Sequence, residues 1–380
     1  MRPSVIANAL VASLVGFGGT LALIVAAAQA LNATQAQTAS WVSAICLAVA
    51  VETAFLSWRT RMPVMAAWST PGLALIAASP GFSMAEGVGV FLATGAALVL
   101  TGLVKPLMRA IASIPMSVAS GMLGGVIVGI VIGGVKAMAV DPWLLIPLAA
   151  LFFAMRLWHP AMAVIAALVA GIAAIVVTGR LGEEITLEMS ALTYTMPLFT
   201  PASLIGLGVP LWLVTMASQN LSGLAVLRAD GYKPEAGPIV TFTGLISLLT
   251  APFNAHTTNL AAISAAICTG PDTHPDPAKR WLAGPVYAAA YLVFAFFGAS
   301  LVALFAALPP GLIALVAALA FLGPLANALA IALKDERERA AAIVAFAVTA
   351  SGVSAFAIGA AFWGLAAGLA VLGLERLKKS

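Results

Sequence analysis

The chain has 380 residues, of which 62% are hydrophobic and 8% charged, with a formal net charge of +4. Soluble domains carry about 25% charged residues, so this surface cannot lie mostly in water. The surplus Lys and Arg are not gathered into a basic patch interleaved with aromatics, which argues against nucleic acid and for the cytoplasmic loops of a multi-pass membrane protein.

At the start, Arg2, a long apolar run and Ala28-Gln29-Ala30 imitate a signal peptide with its cleavage site. The run covers about 20 residues, more than the roughly 7–15 of a signal peptide's apolar region, and reads as a first transmembrane helix. A helix crosses the hydrocarbon with about 20 apolar residues, and on that scale the chain divides into about 14 segments. In order they lie near 9–31, 39–57, 63–79, 86–104, 113–135, 142–157, 160–179, 201–226, 237–251, 253–269, 282–307, 311–333, 340–356 and 358–374. With the N-terminus inside and sides alternating, every Lys and Arg except Lys136 and Arg180 falls inside. A wrong span count would scramble that asymmetry. The expected location is a bacterial inner membrane, with both termini cytoplasmic.

The third segment begins Pro63-Val64-Met65-Ala66-Ala67-Trp68-Ser69-Thr70-Pro71-Gly72, and the tenth begins Pro252-Phe253-Asn254-Ala255-His256-Thr257-Thr258-Asn259-Leu260. Each opens on proline and a polar, non-helical piece, and each ends at glycine, Gly81 or Gly270. At an offset of 189, Pro63 meets Pro252, Ala66 meets Ala255, Ser69 meets Thr258 and Gly81 meets Gly270. Seven spans on either side of residue ~195 would place the halves in opposite orientations. Interrupted backbone at membrane depth survives only where it lines a cavity or is buried in protein. Matching breaks in two inverted halves point to a transporter's binding site near the midplane. A half-helix starting there aims free N–H groups and a positive dipole end at an anion. The plainer alternative is two kinked helices that resemble each other by chance.

The eighth segment carries Thr215, Ser218, Gln219, Asn220 and Ser222 in an apolar span. Such polarity is costly unless it meets a partner, water or a ligand. Gln219 and Asn220 offer donors and acceptors without charge, and the alternative role is interhelical glue. His256 is the one histidine inside a span, while His159 and His274 fall in loops. An imidazole can carry a proton near neutral pH, or can sit neutral against the broken backbone. Glu52 is an intramembrane carboxylate and so a second proton candidate. Its nearness in sequence to Arg59 and Arg61 makes a structural ion pair the competing reading. Trp68 and Phe253 stand at the breaks and could stack on an aromatic ligand, or simply pack.

Other patterns carry no chemistry. Cys46 and Cys268 are isolated in apolar runs and suggest neither disulfide nor metal site. Gly121, Gly125, Gly129 and Gly133 recur every fourth residue, as in closely packed helices. No Walker, zinc-binding or nucleophile-elbow pattern occurs, so no catalytic residue, cofactor or metal is expected. Residues 334–339, Lys-Asp-Glu-Arg-Glu-Arg, read as a solvated linker, and Glu183, Glu184 and Glu188 mark the loop between halves.

Three of these stretches resemble the BenE-type benzoate/proton symporters. They are Pro63–Gly72, Asn220-Leu-Ser-Gly-Leu224 before Gly231-Tyr-Lys-Pro234, and Ala251-Pro-Phe-Asn-Ala-His-Thr-Thr-Asn-Leu260. A more distant likeness reaches uracil permeases and sulfate-type anion transporters. The resemblance implies an all-α membrane protein of about 14 transmembrane segments in a seven-plus-seven inverted repeat. Its halves would be 1–195 and 196–380, with spans 3 and 10 broken into half-helices. Spans 1–4 and 8–11 would form a core domain, and spans 5–7 and 12–14 a gate domain. The implied substrate site is Ser69, Thr70, Gln219, Asn220, Thr258 and Asn259. Gln219 stands where the uracil permeases carry an acidic residue, and a neutral amide suits a bound carboxylate better. The expected function is proton-coupled uptake of benzoate or a similar aromatic carboxylate by alternating access. The rivals are a nucleobase or inorganic-anion carrier of the same fold, and an anion channel. Expected partners are the substrate, a proton, the lipid bilayer and, for the protein itself, a second copy in a homodimer.

Overall fold

The structure, a computed structural model, describes residues 2–18, 20–112, 115–158, 162–180, 189–353, 355 and 360–377. His159, Glu183, Glu184, Glu188, Lys378 and Lys379 lie outside the described residues. Helices α1 (Pro3–Gly18) and α2 (Leu21–Ala30) form one apolar stretch interrupted at Thr20. The Thr20 hydroxyl bonds back to the Gly16 carbonyl at 2.6 Å, a local competitor of the helical ladder. α3 (Gln35–Thr60) starts at a capping box between Thr34 and Gln37, and Arg61 closes it with φ 56°. β1 (Ala66–Trp68) and the half-helix α4 (Thr70–Ala77) follow. A second capping box, Ser83 with Glu86, starts α5 (Met84–Leu103). α6 (Lys105–Ala112) is a short helix that the apolar-run reading had no means to find. Then come α7 (Met116–Val140), α8 (Pro142–Trp158) and α9 (Ala163–Val177).

Residues 189–200 have no regular secondary structure and are pinned by the Thr195 N–H on the Pro252 carbonyl and the Leu198 N–H on the Ala85 carbonyl. α10 (Pro201–Ser203), α11 (Val209–Val214) and α12 (Leu221–Ala229) continue one another through π-helical turns at Leu204–Gly208 and Thr215–Asn220. α13 (Ala236–Thr250) leads through a tight turn to β2 (Thr258–Leu260) and the half-helix α14 (Ala262–Thr269). The chain closes with α15 (Ala283–Phe296), α16 (Gly298–Ala306), α17 (Pro310–Ala332), α18 (Arg339–Ala350) and α19 (Ala360–Leu377).

Among the described residues eight helices are long and apolar enough to cross a bilayer. A ninth forms if Pro277–Phe296 and Gly298–Ala306, bent by 58°, count as one span. The fourteen expected segments all hold helix, but five hold short ones. Segments 63–79 and 253–269 hold half-helices, because part of each is spent as strand. Segments 142–157, 160–179 and 340–356 hold apolar helices of 17, 15 and 12 residues. Exposed large apolar side chains, Trp143 at 91% and Val140 at 86% among them, give the molecule the surface of a protein solvated by lipid.

Helix α7 packs along α17 and α18, α5 along α13, and α3 along α15. The glycine series of α7 splits in two. A Cβ at Gly121 or Gly125 would meet the Ala342 or Phe346 carbonyl of α18, so those two allow close approach. Gly129 and Gly133 meet nothing within 4 Å, which corrects the reading of one continuous packing stripe.

Candidate functional site

The site begins with a backbone problem. Pro63 and Pro252 fall where helix gives way to irregular backbone and lipid offers no hydrogen bonds, so the freed groups need partners inside the protein, while Pro71 stands in the first turn of α4. The two broken pieces solve it by pairing. β1 and β2 are antiparallel, with Ala66 opposite Leu260, Ala67 opposite Asn259 and Trp68 opposite Thr258. The Ala261 N–H reaches the Met65 carbonyl at 2.9 Å and the Ser69 N–H reaches the Thr257 carbonyl at 3.0 Å. Side chains cover the ribbon's outer edges. Thr53 accepts from the Ala66 N–H at 3.0 Å, Asn220 Oδ1 accepts from the Leu260 N–H at 3.1 Å, and the Tyr287 hydroxyl donates to the Ala66 carbonyl at 3.2 Å. From this shared ribbon α4 and α14 start. Ser69 caps α4 through the Gly72 N–H at 3.2 Å, whereas Ala261 gives α14 no capping side chain. A helix N-terminus with uncapped N–H groups suits an anion.

Strand periodicity sorts the polar residues, since successive side chains point to opposite faces. Thr257 joins Ser69 and Thr215 in a buried hydroxyl cluster. Thr215 donates to Ser69 Oγ at 3.0 Å and lies 3.1 Å from the Thr257 hydroxyl. With its amide oriented to satisfy both ends, Asn259 accepts from the Ser69 N–H and donates to the Leu260 carbonyl, both at 2.9 Å. Thr258 points the other way, to Glu52 and to Ser247 at 2.9 Å. So Ser69 and Asn259 come together with Thr215 and Thr257, while the Thr258 hydroxyl belongs to a second cluster behind the ribbon. Thr70, the first residue of α4, adjoins the first cluster.

The π-helical turn Thr215–Asn220 divides the eighth segment's polar residues by role. Such turns recur at functional sites because they re-aim side chains. Ser218 is spent on the Val214 carbonyl at 2.6 Å, and Asn220 on the Leu260 N–H. Gln219 is half-buried, one turn beyond Thr215, and makes no hydrogen bond among the described residues.

Both proton candidates are fully buried. The Trp41 indole N–H donates to His256 Nδ1 at 2.9 Å, and His256 Nε2 faces the Ser69 carbonyl at 3.3 Å. That arrangement fits the neutral ring protonated at Nε2. Glu52 Oε1 is hydrogen-bonded with the Thr258 hydroxyl, and Oε2 has no partner among the described residues. The competing reading, an ion pair of Glu52 with Arg59 or Arg61, does not form; the Arg61 guanidinium lies 4.3 Å from the centre of the Trp281 ring.

Trp68 is packed edge-on against Phe17 and Tyr291, each 5.9 Å away, and so forms part of the wall behind the ribbon. Phe253 is set apart, its carbonyl accepting from Ser40 Oγ at 2.9 Å. A cavity of about 250 Å³ runs between α2 and α4 on one side and α7 and α17 on the other. Leu73 and Ala77 of α4, Gly133 of α7 and Phe321 of α17 line it, and Gln29 is its main polar group. The sequence reading left Thr257, Ser247 and Trp41 out of the site, and offered Thr215 only as one of five polar side chains in the eighth segment. Alternation along 256–260 was the available signal for Thr257, and nothing local marks Trp41.

Two half-helices starting from one buried ribbon, beside a polar π-turn in an apolar span, are the parts of a membrane transporter. The family described as benzoate membrane transport protein, BenE, matches residues 1–374. The chain is 39% identical to the inner membrane protein YdcO of Escherichia coli over 96% of this chain and 94% of that one. It is 31% identical to the benzoate membrane transport protein of Acinetobacter baylyi over 94% of this chain and 91% of that one. Its fold is similar to the transmembrane domain of the cyanobacterial bicarbonate transporter BicA, with TM-score 0.65, 15% identity and 97% of each chain covered. It is also similar to SLC26A9, with TM-score 0.67 and 14% identity over 98% of this chain and 66% of that one. The chain belongs to the BenE family and is a multi-pass membrane transporter with an SLC26-like fold.

Proposed function

We propose that this transporter carries benzoate or a similar aromatic carboxylate together with a proton, by alternating access. The observation that carries the reading is that two half-helices start from opposite ends of one buried ribbon, α4 beside the Ser69–Thr215–Thr257 cluster and α14 beyond Leu260. Hydroxyl donors, the Gln219 amide N–H groups and two positive helix ends favour a carboxylate. The substrate's anionic end takes Ser69, Thr70, Thr257 and Gln219, while Asn220 and Asn259 hold the ribbon in shape. The Acinetobacter relative, described as a benzoate transport protein, supports the aromatic carboxylate.

In this reading the halves 1–195 and 196–380 are inverted repeats. Packing of α5 on α13 and of α3 on α15 supports it, because a seven-span offset exchanges those two pairs. The ribbon and the α7–α17 pair each lie on the axis that relates the halves. The segments preceding α7 and those from α10 to α16 then move as a core against a gate built around α7 and α17. The 250 Å³ cavity lies along that boundary. The charge asymmetry supports cytoplasmic termini, and the Escherichia coli relative supports an inner membrane.

The test is uptake of labelled benzoate into proteoliposomes, in competition with uracil and sulfate. Saturable uptake driven by an acid exterior and blocked by unlabelled benzoate supports the proposal. Block by sulfate or uracil instead replaces the substrate, and non-saturable flux replaces the carrier with a channel.

A further inference from the structure

We infer that Glu52 is the binding site of the co-transported proton, behind the ribbon and separate from the anion. The inference rests on the carrier reading above and adds to it the residue that couples the two solutes. Glu52 is fully buried near the middle of α3, its Oε1 shared with the Thr258 hydroxyl and its Oε2 unpartnered among the described residues. Among the described residues no cation pairs with it. Arg61 is over Trp281, and Arg280 is spent on the His274 and Thr269 carbonyls, both at 2.7 Å. Lys279 pairs with Asp276 at 3.9 Å. The titratable groups on the remaining packed elements are His256, Tyr287 and Tyr291; His256 bonds Trp41 and the Ser69 carbonyl, and Tyr287 bonds Ala66 and Tyr291. A carboxylate buried without countercharge is costly, whereas a carboxylic acid there needs one acceptor.

The neighbouring hydroxyls can serve either state. When Glu52 carries the proton, its O–H donates to Thr258 Oγ1 and the Thr258 O–H turns to Ser247 Oγ, 2.9 Å away. When Glu52 releases the proton, the Thr258 O–H turns to the carboxylate. Ser247 accepts from the Thr258 N–H at 3.0 Å in both states, so β2 stays in register while the hydroxyls rotate.

Coupling follows from adjacency. Thr257 and Thr258 are consecutive, one on the anion face and one on the Glu52 face of a two-stranded ribbon. An anion at Thr257 and a carboxylate at Glu52 would repel strongly across this dry layer. Anion binding therefore favours protonated Glu52, and by reciprocity a proton on Glu52 tightens the anion site.

The experiment compares wild type, Glu52→Gln and Thr258→Val in proteoliposomes, by counterflow exchange of benzoate at equal pH and by accumulation under an acid-outside gradient. Glu52→Gln keeps exchange and loses accumulation, by about tenfold or more if the coupling lies in the usual range. Infrared difference spectra, which need no substrate, add a titrating carboxylic-acid carbonyl band that is lost in Glu52→Gln and displaced in Thr258→Val. Wild-type-like accumulation by Glu52→Gln, a wild type without that band, or accumulation driven by sodium instead of protons would each overturn the inference. If wild type carries sulfate or uracil rather than benzoate, the substrate reading fails, and the same comparison with that solute still judges Glu52.

Discussion

The Trp41 indole N–H, on α3, ends 2.9 Å from His256 Nδ1 in the broken tenth segment. An indole nitrogen only donates, so Nδ1 must accept, and a doubly protonated ring would set one N–H against another. His256 is thereby held as a neutral bridge between α3 and the ribbon. The first prediction follows. His256→Gln keeps proton-driven accumulation, and Trp41→Phe, which strips Nδ1 of its donor, lowers stability by about 1–3 kcal/mol. Thermal unfolding in detergent and pH-gradient uptake check the two halves. Loss of accumulation with exchange intact in His256→Gln would return the proton to His256.

Gln219→Ala weakens benzoate binding by about 1–3 kcal/mol, because the unpartnered amide is the group with donors to spare. Calorimetry on the purified protein reads this directly. Unchanged affinity with normal folding removes Gln219 from the site.

Ser69→Asp and Thr257→Asp abolish uptake while leaving membrane insertion intact. A carboxylate at either position occupies the positive start of α4 and repels the substrate. Retained transport in either variant places the anion elsewhere.

Asn220→Ala lowers stability by about 1–3 kcal/mol, since it leaves the buried Leu260 N–H without an acceptor. The thermal midpoint falls more than benzoate affinity does. Affinity lost with an unchanged midpoint would make Asn220 a ligand contact.

The two breaks were legible because proline and polar residues at membrane depth have few explanations. That the broken pieces pair as strands was not, since three-residue strands carry too little pattern to separate from loop. Ser69, Thr258 and Asn259 were legible as neighbours, but the face each one takes depends on ribbon register. One residue decides whether Thr257 or Thr258 meets Ser69. The ion pair weighed as an alternative for Glu52 fails on helix geometry, because seven residues set Arg59 about 10 Å further along α3. α6 escaped notice because its eight residues mix charge with apolar positions. Trp41 could not be found at all, standing 215 positions from His256.

The most direct test is a structure of the protein with 4-iodobenzoate bound, the iodine marking the ring. The account predicts the carboxylate beside Ser69, Thr257 and Gln219, facing the first turn of α4. A carboxylate bound away from the ribbon, or a ligand held only in the cavity between α4 and α17, would contradict it.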